Sequence, residues 1–401
     1  MKQMLLGLAA CVFVLTGCAA PQKAAEAPVF YPPSPQLPRL QFLVSYSGVK
    51  DLGGGKSAFD VFVTGREDVS RLAKPYGVAI YEGKIYVCDT GGGVMVFDLE
   101  GKTFERLKGA EGPGKLLTPI NIRIDKDGTK YVADSGRKQV IVFDKNDMYV
   151  RAYGIEGKWR PVDAAAFEDR VYVADSDNGE IKVFDKASGK VIKKIGSEGL
   201  LDRPTNMVFD EEGYLFVSDA ARFQIVELDR DGHEKGAIGK LGLNYGHFSR
   251  PKGVALDRAG RVFVVDSSFY NVQIFDKKRK QLLTFFGEGG TKPGKLILPA
   301  QVVVDYDNMK YFEKYVAPSF EMEFLVLVTS QFGDRMVSVF AFGKEKGKQY
   351  PSDAELDEEL KSNLLKEFEM NKGPESEQGD STPEKPAEKP VEKPAEKEKS
   401  K

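Results

Sequence analysis

The chain has 401 residues, with 58 Lys and Arg against 60 Asp and Glu, and a formal net charge of −2. A nucleic-acid-binding protein normally carries a strong basic excess, so this balance argues against that class. Three Cys and two His cannot build a disulfide framework, a zinc finger or a haem-attachment motif. The 41 Gly, 21 Pro, 26 Phe and 16 Tyr are typical of a turn-rich β protein.

The N-terminus has the features of a secretory signal. A basic start at Lys2 precedes an apolar run over Met4–Gly17, which is too short to span a bilayer as a stable helix. The run ends in Leu-Thr-Gly-Cys, which resembles a bacterial lipobox. The resemblance implies that residues 1–17 are a lipoprotein signal peptide and that lipid is attached to Cys18. The residue after the Cys is Ala19. By resemblance to enterobacterial sorting rules, the absence of Asp at this position implies the outer rather than the inner membrane of the cell envelope. The alternative is an ordinary signal peptide with an incidental Cys.

Two polar segments flank the central part of the chain. Residues 18–39 contain six Pro, which predicts an extended, stiff tether between the membrane and a folded body. Residues 344–401 carry 12 basic and 16 acidic residues and end in repeated Lys-Pro-Ala-Glu units with little to bury. We expect this tail to be mostly disordered, apart from a short polar helix over Ser352–Met370.

One unit recurs six times between these ends. Each copy begins with a Pro, and consecutive Pro residues lie 42 to 48 positions apart. In most copies the second and third strands each end in Asp, and Gly, Asn or Asp turns join the strands. A period near 45 with four short strands per copy predicts a propeller blade, because one such sheet cannot bury both faces alone. The six are Pro75, Pro119, Pro161, Pro204, Pro251 and Pro299.

We therefore predict an all-β fold, a six-bladed β-propeller of four-stranded antiparallel blades over residues 40–343. The sixth copy lacks its fourth strand, whereas an additional strand over Leu40–Tyr46 precedes the first Pro. We expect this N-terminal strand to complete the last blade and close the ring. Residues Ala58–Val63 fit either an outer strand of the first blade or an excursion beside it.

The fifth copy carries a specific resemblance to a known repeat. Residues 246–257 have the sequence Gly-His-Phe-Ser-Arg-Pro-Lys-Gly-Val-Ala-Leu-Asp, and the strands Val-Phe-Val-Val-Asp and Val-Gln-Ile-Phe-Asp follow. This pattern is similar to the NHL repeat, and the similarity extends from Leu40 to Gly343. The sixth copy departs most, with an insertion over Met309–Met322 and Thr329-Ser330 in place of the strand-ending Asp. The resemblance implies a scaffold or binding platform and, for a few relatives, a lyase or lactonase.

Five Asp residues end the second strands of the first five copies. A ring of carboxylates can bind a cation or a substrate, but each Asp can equally accept hydrogen bonds from backbone amides of the following turn. We favour the structural role, because chemistry needs one special site rather than five equal ones. The five are Asp89, Asp134, Asp175, Asp219 and Asp266.

Basic residues cluster at one predicted mouth of the channel. Four precede the blade-starting Pro, and two lie in loops between second and third strands, on the same face of a propeller. They can receive carboxylates, phosphates or an acidic partner surface. We favour the alternative, a ladder in which each pairs with an Asp of a neighbouring blade. The first four are Lys74, Arg160, Arg203 and Arg250, and the other two are Arg137 and Arg222.

The insertion in the sixth copy is the one aromatic-rich departure from the repeat. It is either a contact surface for a partner or a long hairpin packed on the blade edge, and both alternatives remain open. Its aromatic residues are Tyr311, Phe312, Tyr315 and Phe320.

Few residues are suited to catalysis. Cys88 occupies a position that is small in the other copies, so we predict a buried, inert thiol. His233 and His247 lie in loops and cannot supply the several His that the resemblance implies for lyase relatives. A lactonase-like metal site of carboxylates and Asn would use Asn121 and Asn206, but we do not favour it. We predict no catalytic residue, no metal and no cofactor.

The sequence therefore favours a lipid-anchored envelope propeller that acts as a non-catalytic protein-binding or assembly platform. Similarity to lipoproteins of cytochrome-rich bacteria makes an envelope electron-transfer complex with a multihaem cytochrome one partner hypothesis. We expect contact with the membrane through the lipid anchor and none with nucleic acid. The first alternative is an envelope lyase or lactonase-like hydrolase with its site at the channel mouth. The second is a structural spacer whose Lys-Glu-Pro tail engages the cell wall or a partner.

Overall fold

The computed structural model describes residues 27–53, 70–155, 157–196 and 199–351, together with Glu355 and Glu358. The strands in these ranges form six antiparallel sheets, and the compact unit that contains them ends at Lys348. The predicted signal peptide, Cys18, Ala58–Val63 and nearly all of the predicted tail lie outside the described residues. The predicted all-β, six-bladed propeller is confirmed.

Each of the first five blades has four strands in sequential order, and the first strands of adjacent blades contact one another around the ring. Blade one comprises β3 (Pro75–Tyr81), β4 (Lys84–Asp89), β5 (Gly93–Asp98) and β6 (Thr103–Arg106). Blade two comprises β7 (Pro119–Ile124), β8 (Lys130–Asp134), β9 (Gln139–Phe143) and β10 (Tyr149–Gly154). Blade three comprises β11 (Pro161–Phe167), β12 (Arg170–Asp175), β13 (Glu180–Asp185) and β14 (Val191–Ile195).

Blades four and five repeat this arrangement. Blade four comprises β15 (Pro204–Phe209), β16 (Leu215–Asp219), β17 (Gln224–Leu228) and β18 (Glu234–Ile238). Blade five comprises β19 (Pro251–Leu256), β20 (Arg261–Asp266), β21 (Asn271–Asp276) and β22 (Leu282–Phe286). The Pro that marks each repeat in the sequence is thus the first residue of each innermost strand, where its missing amide costs the ladder least.

The sixth blade closes the ring with strands from both ends of the described chain. Its order is β23 (Pro299–Asp305), β24 (Phe320–Ser330), β25 (Val337–Glu345), β2 (Leu40–Tyr46) and β1 (Val29–Tyr31). Strand β2 pairs antiparallel with β25, with Leu40 opposite Phe342 and Tyr46 opposite Val337. The predicted closure by the N-terminal strand is confirmed.

Strand β1 lies within the segment predicted as a tether. It pairs antiparallel with β2, and its residue Tyr31 is buried with its ring 6.2 Å from that of Phe286 and 6.3 Å from that of Phe340. Phe286 belongs to blade five and Phe340 to blade six, so the folded body begins before Leu40. Only the three residues of β1 lie between the flanking prolines, and they are too few to show the alternating pattern from which a strand is predicted.

The core lies between the blades, because adjacent blades pack face to face and bury both faces of their middle strands. The second strand of every blade therefore carries a fully buried Val two residues before its terminal Asp or Ser. These residues are Val87, Val132, Val173, Val217, Val264 and Val328. Burying each such side chain stabilises the fold by roughly 2 kcal/mol.

The described segments contain three-residue and four-residue 3-10 turns between the strands. No helix among them is long and apolar enough to cross a bilayer.

Candidate functional site

The strand-ending Asp residues hold the blades' loops in place. Asp219 accepts hydrogen bonds from the amides of Asp202 (2.6 Å) and Arg203 (3.0 Å), which enter the blade. It also accepts from the amides of Ala221 and Arg222 in the following turn, each at 3.1 Å. The predicted bonds to the following turn are confirmed. The sequence did not predict the bonds to the entering loop, because those amides lie more than one strand away along the chain.

The same arrangement recurs in the other four blades with an Asp at this position. Each carboxylate is buried and accepts hydrogen bonds both from an amide before the blade-starting Pro and from the turn after the second strand. These carboxylates are therefore already satisfied, by backbone amides and, at Asp175, also by the side chains of Asn178 and Lys182, and they are not free to form a cation site. They are Asp89, Asp134, Asp175 and Asp266.

The four basic residues before the blade-starting Pro do not form the predicted ladder. Their side chains are exposed and make no ion pair with any carboxylate of the described residues. Instead, the backbone amide of each of these four residues donates to the strand-ending Asp of its own blade. The ladder prediction is wrong, because the Asp oxygens bind the backbone and leave the cationic groups at the mouth. The four are Lys74, Arg160, Arg203 and Arg250.

The two basic residues in the loops between second and third strands have a structural role. Arg137 donates through Nη1 to the carbonyls of Pro113 and Lys115, each at 2.7 Å. Arg222 donates in the same way to the carbonyls of residues 199–200, at 2.7 and 2.6 Å. Each guanidinium thus braces the loop that enters its own blade, so these two are less suited to contact a partner.

Two side chains meet at the centre of the channel mouth. Each belongs to the residue that directly follows the blade-starting Pro of its blade. Lys252 of blade five is 7% exposed, and its Nζ lies 4.9 Å from the centre of the Tyr76 ring of blade one. Tyr76 packs against an apolar cluster that includes Ile120 and Val162, from blades two and three. The phenol ring and the lysine together therefore cover the opening of the channel.

The electrostatic environment of Lys252 is strongly positive. Its amine forms no ion pair or hydrogen bond with any residue that the structure describes. Burial, followed by the charges of Arg250 and Lys74, lowers the pKa of Lys252 to about 8. Burial and the carboxylate of Asp163 raise the pKa of the Tyr76 hydroxyl far above its usual range, so the phenol stays protonated. At neutral pH the mouth thus holds clustered cations around a neutral ring.

A polar layer closes the channel one residue further along the innermost strands. Asn121, Asp163, Asn206 and Gln301 are fully buried there. Asn206 Nδ2 donates to Gln301 Oε1 at 3.2 Å, and Gln301 Nε2 donates to Asn121 Oδ1 at 3.4 Å. Gly253 fills the same position in blade five, where a Cβ would lie 2.5 Å from Gln301 Oε1, so a side chain cannot fit. The layer forms the floor of the mouth.

The polar layer is a poor site for a cation. Asp163 accepts hydrogen bonds from Arg123 Nη2 at 3.0 Å and from the amide of Met207 at 2.8 Å. The guanidinium neutralises the one carboxylate of a layer whose other members are amides, whereas a divalent cation prefers charged oxygen ligands. The described ranges also contain no group of three or more His, Cys, Asp or Glu placed to hold a metal. These contacts do not favour a lactonase-like metal site.

The aromatic insertion packs between blades six and one. Phe312 and Phe320 are buried in the core, so their rings are not available to a partner. Tyr311 donates its hydroxyl to Glu100 of blade one at 3.0 Å, and Tyr315 packs against the same core cluster. Of the two predicted alternatives, the structure supports the one in which the insertion covers the blade edge.

Cys88, the predicted inert thiol, and His233, one of the two loop histidines, lie in surroundings that suit structural roles. Cys88 is fully buried, and burial raises the pKa of its thiol well above the usual value, which disfavours the reactive thiolate. His233 lies in an exposed turn, where its Nδ1 is 2.9 Å from Asp229 Oδ2. Neither residue lies at the channel mouth.

The mouth face, defined by the loops that enter the blades and those that join second and third strands, also exposes large apolar side chains. Leu243 is 84% exposed, and Phe332 is 50% exposed with Lys74 Nζ 5.9 Å from its ring. Further members are Leu117, Leu241, Tyr245 and Tyr270. These loops differ from copy to copy, so the repeat did not reveal this surface. A face that combines unpaired cations with exposed apolar groups has the composition of a protein-binding surface.

No protein-family model matches the chain. It is similar to NHL repeat-containing protein 3 of Mus musculus, with 26% identity over 44% of this chain and 59% of the relative. The Homo sapiens protein of the same name is 25% identical over 55% of this chain and 72% of the relative. The chain therefore spans less than two thirds of the mouse relative.

Solved structures are similar to the chain at low sequence identity. A Bacteroides thetaiotaomicron protein of unknown function matches with a TM-score of 0.53 and 13% identity, over 75% of each chain. A streptogramin B lyase matches with a TM-score of 0.48 and 9% identity, over 68% of this chain and 94% of the lyase. The first of these likenesses supports the propeller fold and carries no information on activity.

Proposed function

We propose that this NHL-type six-bladed β-propeller is a non-catalytic docking platform of the bacterial cell envelope, and that its mouth face binds an acidic protein surface. The proposal rests on one observation. Four exposed cationic side chains surround the mouth without an ion pair to any described carboxylate. They are Lys74, Arg160, Arg203 and Arg250.

The physical argument combines charge, apolar area and rigidity. An acidic surface complements the unpaired cations, which accelerates encounter and selects against basic partners. Exposed side chains such as Leu243 and Phe332 supply apolar area around them. Because the strand-ending Asp residues fix the entering loops, binding requires little additional ordering of the mouth. None of these features requires the protein to make or break covalent bonds.

Charge reversal of the mouth tests the proposal. The variant Arg203→Glu/Arg250→Glu is compared with the wild type and with Lys126→Glu/Lys278→Glu. The control positions are also exposed and without an ion pair in the described structure, but they lie in turns on the opposite face. Cross-linking in the native envelope and mass spectrometry identify the partner, and the purified partner is then titrated at low and high salt.

We expect the control to bind the partner like the wild type, and the mouth variant to lose binding while keeping its circular dichroism spectrum. Wild-type affinity should fall with salt, since the contact is electrostatic. A folded mouth variant that binds the partner normally would overturn the proposal. Cross-links confined to the opposite face, or nucleic acid recovered at the mouth in place of an acidic protein, would overturn it as well.

The envelope location forms a separate part of the proposal and rests on Cys18. We expect Cys18→Ala to move the protein from the membrane fraction to the soluble fraction and to abolish incorporation of labelled fatty acid. The partner, proposed to belong to an envelope electron-transfer complex, should then be lost from membrane cross-links but still bind the purified propeller. Retention of the fatty-acid label by Cys18→Ala would contradict the anchor.

A further inference from the structure

At the centre of the mouth, a largely buried lysine carries a charge without a counter-ion among the described residues. Lys252 is 7% exposed, yet its amine has no ion pair or hydrogen bond with a described residue. We propose that Lys252, Arg250 and Lys74 form a pocket for one oxyanion group, a carboxylate or a phosphate. This proposal rests on the proposed function and deepens it, because it names the chemical group that the mouth face binds.

The geometry places the amine of Lys252 against a side chain of a non-adjacent blade. The side chain extends from blade five to the Tyr76 ring of blade one, 4.9 Å from Nζ, although blade six separates these two blades around the ring. An isolated ammonium group loses hydration when it is buried, and a single cation–π contact offsets only part of that cost. The arrangement therefore favours a ligand that supplies negative charge at this position.

No carboxylate of the described channel can supply that charge. Asp163, in the polar layer below, is already bound to the Arg123 side chain and to the amide of Met207. The other members of the layer are Asn and Gln side chains, which carry no charge. A counter-ion for Lys252 would therefore come from outside this part of the protein.

The neighbouring groups define the chemistry of the ligand. Lys252 lies over the Tyr76 ring, and Arg250 is close enough for its charge to act on both groups, whereas Lys74 acts on Lys252 and Arg160 acts on Tyr76. Guanidinium groups bind carboxylates and phosphates through paired hydrogen bonds, whereas a cationic ligand would be repelled. The buried polar layer limits the depth, so the pocket takes a single anionic group rather than an extended molecule.

The test uses the purified full-length protein with citrate and inorganic phosphate as probes and with chloride at equal ionic strength as reference. Thermal unfolding and calorimetric titration are measured for the wild type, Lys252→Met, Lys252→Arg and the control Lys126→Met. Lys126 is an exposed residue of the opposite face. Methionine keeps the length of the side chain without the charge, so Lys252→Met should fold, and circular dichroism checks that it does.

We expect citrate to raise the unfolding midpoint of the wild type and of Lys126→Met by several degrees, since a ligand that binds the native state stabilises it. Lys252→Met should bind citrate at least about tenfold more weakly, and Lys252→Arg should recover part of the affinity. Equal citrate affinity of a folded Lys252→Met would overturn the pocket, and so would the absence of any citrate or phosphate effect on the wild type.

Competition with the partner distinguishes the two sources of the anion. Displacement of the partner by citrate assigns the pocket to a carboxylate of the docked protein. Citrate binding without displacement assigns it to a free small anion. Either result supports the pocket. If Lys252→Met binds citrate normally while Arg203→Glu/Arg250→Glu loses the partner, the pocket fails and the docking platform stands.

Discussion

Lys252 of blade five and Tyr76 of blade one meet across the channel mouth, with the amine 4.9 Å from the ring centre. Around the ring, the two blades are joined through blade six, which is completed by strand β2 from the N-terminal part of the chain. The contact at the mouth therefore depends on the closure of the ring. A change in the outer strands of blade six is expected to disturb the mouth as well as the stability.

The buried amine of Lys252 makes stability depend on pH. Its pKa of about 8 in the folded protein is lower than its ordinary value of 10.5, so the unfolded chain binds the proton more tightly between these values. Stability therefore rises with pH through this window, and at pH 7 the charge costs up to about 3 kcal/mol. Arg250 and Lys74 face the amine from the entering loops, and Tyr76 faces it from β3.

We expect Lys252→Met to raise the free energy of unfolding at pH 7 in buffer without multivalent anions. The gain should shrink as the pH rises above about 8, because the wild-type amine then loses its charge. Urea unfolding at several pH values measures the difference, with Lys126→Met as a control that should show no trend. A difference that is zero at pH 7, or constant with pH, would contradict the environment assigned to Lys252.

Asp219 is expected to be essential for the stability of blade four. Asp219→Ala leaves four amides of two loops without their acceptor, which should cost about 2 to 4 kcal/mol of unfolding free energy. Asp231→Ala is the control, because that exposed carboxylate pairs with Lys193 at 3.1 Å and should cost less than about 1 kcal/mol. Similar costs for the two variants in urea unfolding would argue against the role of the strand-ending Asp residues.

The polar layer is expected not to bind divalent cations, since Arg123 neutralises Asp163. Millimolar Ca²⁺ should leave the unfolding midpoint of the wild type equal to that measured with a chelator, and lactones should not be hydrolysed. Scanning calorimetry and a lactone assay make the comparison. A midpoint that rises with Ca²⁺, or metal-dependent turnover, would instead support the lactonase-like alternative.

Ring closure should account for a large part of the stability. Leu40 of β2 is fully buried in the core shared by blades five and six, so Leu40→Ala should cost about 3 kcal/mol. Truncation after Lys348, where the compact unit ends, is the control and should leave the unfolding midpoint unchanged. If Leu40→Ala unfolds like the wild type, strand β2 does not hold the ring together.

Much of the fold could be predicted because the repeat encodes local structure six times. In the first five copies the blade-starting Pro, the buried Val and the strand-ending Asp recur at nearly constant spacing, so each copy supports the assignment of the others. The missing fourth strand of the last copy and the additional strand at Leu40–Tyr46 also predicted closure. Strand β1 was missed, since Val29–Tyr31 is too short to show a period and is stabilised by packing of Tyr31 on distant rings.

The candidate site, in contrast to the fold, could be predicted only in part from the sequence. The basic residues before the Pro were visible in the sequence, but their expected ion pairs with Asp do not form because backbone amides occupy those oxygens. Asp163 and Gln301 could not be connected with Asn121 and Asn206, since side chains at that position differ between copies. Their hydrogen bonds join strands of different blades.

The amino-acid sequence by itself determined the number of blades, the order of strands within them and the strand that closes the ring, because these depend on periodic, local patterns. The near-neutral charge of the chain did not reveal a cationic mouth, since charge balance carries no positional information. Only the tertiary structure decided which charges are paired and that Lys252 meets Tyr76. Those relationships join residues far apart in the chain, and the closed ring sets the distances between them.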